Sequence, residues 1–67
     1  MPRQQRTGRV RITGGMREFV GRTGRIVRLE DHGLYRVQLD EPVKVEGVGT
    51  VHDDLWESQY LERILGS

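Results

Sequence analysis

The sequence predicts an all-β domain, a small five-stranded barrel with one short helical turn before its last strand. Short runs in which apolar and polar residues alternate are typical of half-buried strands. Glycine, proline and aspartate separate these runs, and no stretch has the longer apolar periodicity of a helix. The 67 residues, 34% hydrophobic and 31% charged, suit a single domain with a small core and a charged exterior.

The domain limits follow from local composition. Residues 1–8, MPRQQRTG, lack apolar periodicity and are predicted to form a flexible basic arm. Residues 9–65 are predicted to form the barrel, and residues 66–67, Gly-Ser, are interpreted as a cloning remnant. With no cysteine, the chain has no disulfide to reinforce so small a core, and self-association is the common alternative.

The first strand is predicted where Val10 and Ile12 alternate with arginine and threonine. Gly14-Gly15 ends it. The loop that follows contains adjacent apolar residues, Phe19 and Val20, and we expect one of them to anchor the loop in the core.

The second strand is predicted for residues 22–30. Val27 and Leu29 share one face and Ile26 lies on the other, so the alternation leaves open which face is buried. Gly24 interrupts the run, and we expect it to permit a close approach of a neighbouring backbone.

A hairpin joins this strand to the third. Asp31 to Gly33 lies between two strand patterns, with a glycine available for the positive φ angle that a tight turn requires. Residues 34–40 are its predicted antiparallel partner, with Tyr35, Val37 and Leu39 on one face.

The sequence Asp40-Glu41-Pro42 is expected to break the sheet, because proline has no amide hydrogen for a strand ladder. A fourth strand is then predicted for residues 43–51. Gly47 and Gly49 fall inside it and indicate a bulge or a sharp bend.

The helical turn is predicted just after this strand. Asp53 or Asp54 is expected to cap it, because Asp54 and Glu57 have the spacing of a capping box. The last strand is predicted for residues 60–64.

The run VRITGGMREFVGRTGRIVRL, residues 10–29, resembles a KOW motif: alternating hydrophobic residues, a glycine-bearing loop and a Gly-x-Ile/Val step into the next strand. The likeness continues through LYRVQLD and covers about half of the chain. The resemblance implies an SH3-like barrel of the kind found in ribosomal proteins and transcription elongation factors. It implies a fold more strongly than a function, because unrelated small barrels share this pattern.

Four segments, GRVRI, VGRTGRIVRL, YRVQLD and YLERI, also resemble the type II, plasmid-borne dihydrofolate reductases. In that family a tetramer encloses a central active-site pore, and its key tetrapeptide is Val-Gln-Ile-Tyr. The corresponding region here reads GTVHDD, residues 49–54, so the tetrapeptide is absent. The resemblance therefore supplies no catalytic residue.

Charge is segregated along the chain. Eight of the ten arginines and a single acid lie in residues 1–28, a net charge of about +7. Residues 29–67 carry three bases and nine acids, a net charge of about −6. Such asymmetry indicates either an anionic partner for the basic part or contact between copies of the chain.

Nucleic acid is the anionic partner that this composition favours. Guanidinium groups offer forked donors to phosphate oxygens, although a GC-rich genome would favour arginine over lysine without any ligand. Single-stranded nucleic acid also stacks its bases on exposed rings, for which Phe19 is the candidate, whereas Tyr35 and Trp56 are expected in the core. The predicted nucleic-acid-binding residues are Arg9, Arg11, Arg17, Phe19, Arg22, Arg25 and Arg28.

The sequence thus favours a non-catalytic binding module that contacts RNA or DNA. The alternative is a protein-interaction or homo-oligomeric assembly module, and a dihydrofolate reductase-like enzyme is a third possibility. No cofactor, metal site or catalytic residue is predicted, because His32 and His52 lack the spacing of a metal or acid–base site. A cytoplasmic location without membrane attachment is expected, since no long apolar run is present.

Overall fold

The computed structural model describes residues 8–64, which form one antiparallel five-stranded sheet in the order β4-β3-β2-β1-β5. The strands are β1 Arg9–Ile12, β2 Thr23–Leu29, β3 Leu34–Val45, β4 Gly49–Glu57 and β5 Leu61–Arg63. Three single 3₁₀ turns complete the described part of the chain: Arg17–Phe19, Asp31–Gly33 and Ser58–Tyr60. The predicted all-β class, the five strands and the helical turn before the last strand are confirmed. All of the predicted basic arm except Gly8, and residues 66–67, lie outside the described residues.

The core lies on one side of the curved sheet. In β1 the alternation predicted from the sequence is confirmed, since Val10 and Ile12 are at most 1% exposed while Arg11 faces solvent. No polar or charged side chain is buried among residues 8–64. The buried hydrophobic residues are Val10, Ile12, Phe19, Val37, Leu39, Val43, Val45 and Trp56.

The first loop is anchored as expected, and the structure decides which residue anchors it. Phe19 is buried at 2% exposure, whereas Val20 remains 49% exposed. The Phe19 ring packs edge-on against Trp56, with ring centroids 5.3 Å apart and an interplanar angle of 79°. The loop is therefore joined to the end of β4.

The β2–β3 hairpin agrees with its prediction. Its turn places both His32 and Gly33 in left-handed backbone conformations, with φ of 66° and 75°. The register between the strands shifts at Val27, between Ile26 and Arg28, which marks a β-bulge. Ile26 is partly buried against the core, whereas Val27 is 51% exposed. The structure thus settles the face that the sequence pattern left open.

Two expectations for the second half of the chain are wrong. Residues 40–42 do not break the sheet, and Val43–Val45 are not the start of a fourth strand, because β3 runs without interruption from Leu34 to Val45. Its pairing with β4 shifts register between Gln38 and Val43, so Pro42 sits where the ladder is irregular and its missing amide hydrogen is tolerated.

Asp53 and Asp54 do not cap a helical turn. They lie within β4, where they pair with Gln38 and Val37 of β3, and the turn comes later, at Ser58–Tyr60. The strand persists because its pairing with β3 continues to Glu57 and buries Trp56. This tertiary pairing outweighs the local capping pattern.

Candidate nucleic-acid interface

The outer face of the sheet carries arginines in register. Because side chains alternate between the two sides of a strand, Arg9 and Arg11 lie opposite the buried face of β1. Arg9 pairs directly with Arg25 of β2, which in turn pairs with Gln38 of β3. The fold therefore brings arginines from two strands side by side.

Arg9 is held by an acid from the other half of the sequence. Its Nη1 and Nη2 donate to Oδ1 and Oδ2 of Asp40 at 3.2 and 2.9 Å. The hydroxyl of Thr23 donates to the same carboxylate at 2.6 Å. Hydrogen bonds from Arg9 and then Thr23 hold the pKa of Asp40 below its ordinary value of 3.8, and the positive field of Arg25 acts in the same direction.

A second carboxylate compensates the arginines at the hairpin end of this face. Arg28 and Arg36 occupy paired positions on β2 and β3, and the Nε of each donates to Oε2 of Glu30, at 2.8 and 2.9 Å. Hydrogen bonds from Arg36 and Arg28 lower the pKa of Glu30 from its ordinary 4.5. Asp53 approaches Nη1 of Arg36 at 3.5 Å. Arg28 is therefore less available to a phosphate than the sequence indicated.

Arg11 has a looser partner. Its Nη1 lies 3.4 Å from Oε1 of Glu62, its neighbour across the β1–β5 ladder, and both side chains are about half exposed. An ion pair this open to solvent contributes little to stability, about 0–1 kcal/mol. A phosphate group could displace it at small cost.

Three of the predicted arginines form no ion pair among residues 8–64: Arg17, Arg22 and Arg25. All three are exposed. Arg22 leads into β2, and its amide donates to the carbonyl of Phe19 in the turn that carries Arg17. It also lines a shallow cleft of about 280 Å³ with Thr23 and Asp40. We call Arg17, Arg22 and Arg25 the open arginines.

The prediction that Phe19 stacks on a nucleobase is wrong. At 2% exposure its ring is part of the core and presents no face to a nucleobase. The expected core position is confirmed for Trp56, at 6% exposure, but it is wrong for Tyr35, which is half-buried and lies outside the core cluster. The loop position of Phe19 beside arginines favoured a ligand contact, but a core this small needs the ring to close one side of it.

Sequence reasoning also missed the acids that compensate the arginines, namely Asp40, Glu30 and Glu62. The predicted hairpin could have revealed one of these contacts. Once residues 22–30 and 34–40 are paired as antiparallel strands, Asp40 lies close to the start of β2. Among residues 8–64 no group of three or more histidine, aspartate or glutamate side chains is arranged to hold a metal ion. His32 and His52 are both exposed.

No family model matches the chain, and no curated protein or solved structure matches it. The resemblances to KOW motifs and to type II dihydrofolate reductases therefore stay predictions. Within residues 8–64 no helix has the length and apolar character needed to cross a membrane.

Proposed function

We propose that this protein is a non-catalytic binding module that contacts the phosphates of nucleic acid through its arginine-bearing outer face. The observation that carries the proposal is the direct pairing of Arg9 with Arg25 in the β1–β2 ladder. Like charges directly opposite each other destabilise a sheet. Asp40 holds Arg9, whereas Arg25 forms no ion pair with any of residues 8–64, so the positive charge of Arg25 remains available to an external anion.

The open arginines extend this positive region towards the first loop. Guanidinium groups that are not held by a carboxylate can donate forked hydrogen bonds to phosphate oxygens without first breaking an ion pair. Arg9, Arg11 and Arg28 would have to exchange a carboxylate for a phosphate, so their contribution per residue is smaller. We therefore expect binding to depend most on Arg22 and Arg25.

The test is fluorescence anisotropy of labelled single-stranded and duplex oligonucleotides at several salt concentrations. Arg22→Gln/Arg25→Gln is compared with Lys44→Gln/Arg63→Gln, which removes the same charge from exposed residues that also lack an ion pair among residues 8–64. We expect the first variant to lower affinity and to reduce the slope of log affinity against log salt by about 2 on duplex.

Circular dichroism of both double variants should match that of the parent protein, because all four side chains are exposed. Equal losses of affinity in the two variants would show that binding depends on net charge alone and would contradict a specific binding face. Absence of binding by the parent protein at low salt would remove the proposal.

Self-assembly is a second candidate, and the free edge of β4 favours it. Among the described residues this nine-residue strand pairs only with β3, so its other edge presents unpaired backbone groups. Val27 and Leu29 add exposed apolar surface on β2, at 51% and 59% exposure. Light scattering at low and high salt tests the candidate, and a monomer under both conditions would exclude it.

A further inference from the structure

A cleft of about 310 Å³ lies between the first loop and the end of β4, and the arginine-bearing face does not account for it. Its apolar lining includes Met16, Leu34, Trp56 and Tyr60. Met16 and Tyr60 are 50% and 36% exposed, so each presents apolar surface to solvent at the mouth of the cleft. This surface can bury an apolar group of a ligand.

The indole of Trp56 provides a hydrogen-bond donor in this cleft. The residue is only 6% exposed, and no atom among residues 8–64 accepts a hydrogen bond from its Nε1–H. Gly15, which also lines the cleft, lies in front of it: a Cβ at that position would be 3.4 Å from Nε1. A donor left without a partner in so buried a residue is costly, and an acceptor brought by a ligand would offset that cost.

Two acids give the cleft a charge preference. Asp54 and Glu57 line it, and neither forms an ion pair with any of residues 8–64. Within the described part of the chain, Oδ1 of Asp54 accepts a hydrogen bond from the neighbouring Leu55 amide, and Oε1 of Glu57 accepts one from the Gln59 side chain. These carboxylates disfavour a phosphate and favour a cation.

The walls of the cleft are preformed. The ring of Tyr60 lies directly against Gly14, at a position where no Cβ fits. The Tyr60 carbonyl accepts from the Thr13 amide at 2.8 Å, which fixes the 3₁₀ turn to the first loop. Phe19 packs against Trp56 behind the cleft. Little conformational freedom is lost when such a site is filled.

We propose that this cleft binds an extended basic peptide segment of a partner protein. An apolar side chain of the peptide packs on Met16 and Tyr60, a main-chain carbonyl accepts from Trp56 Nε1–H, and an arginine or lysine faces Asp54 and Glu57. A peptide is the ligand class that offers an apolar group, a carbonyl and a cation at short spacing along one chain. This function is separate from nucleic-acid contact and does not depend on it.

The single tryptophan makes the test direct, because the protein gives one indole N–H resonance in a ¹⁵N–¹H correlation spectrum. The probe is the peptide Gly-Leu-Arg-Gly-Leu-Arg-Gly. Peptides with glutamate in place of arginine, or serine in place of leucine, are the controls. We expect the probe to move the indole resonance downfield in a saturable way at micromolar concentrations and the controls to move it much less.

Variants then identify the charged contacts. Asp54→Asn/Glu57→Gln should weaken the probe at least tenfold, whereas Glu41→Gln/Glu46→Gln removes the same charge from exposed positions outside the cleft and should change affinity less than twofold. Near-ultraviolet circular dichroism checks that both variants keep the Trp56 environment.

Three outcomes would overturn the proposal. The first is an indole resonance that stays in place at saturating probe, and the second is an equal loss of affinity in the two acid variants. The third is a larger indole shift with a single-stranded oligonucleotide than with the peptide, which would assign the cleft to nucleic acid instead.

Discussion

Replacing Gly24 with alanine tests a close backbone approach between β2 and β3. A Cβ on residue 24 would lie 2.5 Å from the carbonyl oxygen of Gln38 and 2.9 Å from Cγ1 of Val37. The first of these atoms is backbone, and the β2–β3 ladder fixes it, so the strands must separate to admit the methyl group. Overpacking of this kind costs about 3 kcal/mol.

That cost is large for a chain of this size. Domains are stabilised by roughly 0.05–0.15 kcal/mol per residue, so about 3–10 kcal/mol is expected here. A loss of about 3 kcal/mol lowers Tm by about 12–24 °C in a small domain. We therefore expect Gly24→Ala to be partly unfolded at room temperature or to melt far below the parent protein.

Thermal denaturation followed by circular dichroism measures the effect, with Gly47→Ala as the control. Gly47 has a φ of 83°, and apart from its chain neighbours no atom lies within 4 Å of the place a Cβ would take. Its substitution therefore adds left-handed backbone strain but no clash, and that strain costs about 1–2 kcal/mol. A Tm for Gly24→Ala within about 5 °C of the parent protein, or above that of Gly47→Ala, would refute the reasoning.

Three further perturbations have defined outcomes. The folded-state pKa values of Asp40 and Glu30 lie below their ordinary values of 3.8 and 4.5, so the unfolded chain takes up protons first as the pH falls. The free energy of unfolding, measured by urea titration, should therefore be at its full value above about pH 5 and should fall as the pH drops through about 4 and below. An Asp40→Asn variant should lose part of that pH dependence. If its stability still fell at low pH as much as that of the parent protein, the result would contradict a stabilising Arg9–Asp40 ion pair. Ile12→Ala, at a fully buried site, should cost about 2–5 kcal/mol by urea denaturation, whereas Val48→Ala, at 71% exposure, should cost less than about 0.5 kcal/mol; equal losses would contradict the assigned core. Gly14→Ala should lower Tm by displacing the aromatic ring packed against it, and near-ultraviolet circular dichroism of the tyrosine should change with it.

The local sequence pattern predicted the structure correctly where one face of a strand is buried and where the turn residues favour one kind of turn. Val10 and Ile12 are buried as the alternation predicts, and the turn at Asp31–Gly33 joins the two strands expected around it. In both cases nearest neighbours in the chain carry the information, because side chains alternate with a period of two and only certain residues adopt a positive φ.

Local pattern failed where long-range pairing decides the conformation. The capping-box spacing of Asp54 and Glu57 is present in the sequence, yet both residues lie in β4 because β3 offers them a ladder. The burial of Phe19 likewise depends on Trp56, which is far away in the chain. Neither contact leaves a periodic signal.

The sequence by itself determined the all-β class, the number of strands, the central hairpin and the segregation of charge between the two halves of the chain. Only the tertiary structure decided which arginines remain open, because Asp40 and Glu62 reach Arg9 and Arg11 across strands. Glu30 pairs with the nearby Arg28 and also with Arg36 on the other side of the hairpin. It also decided that an acidic, aromatic cleft forms beside Trp56. Composition determines how much charge a chain carries, but the pairing of strands distant in sequence determines which charges meet.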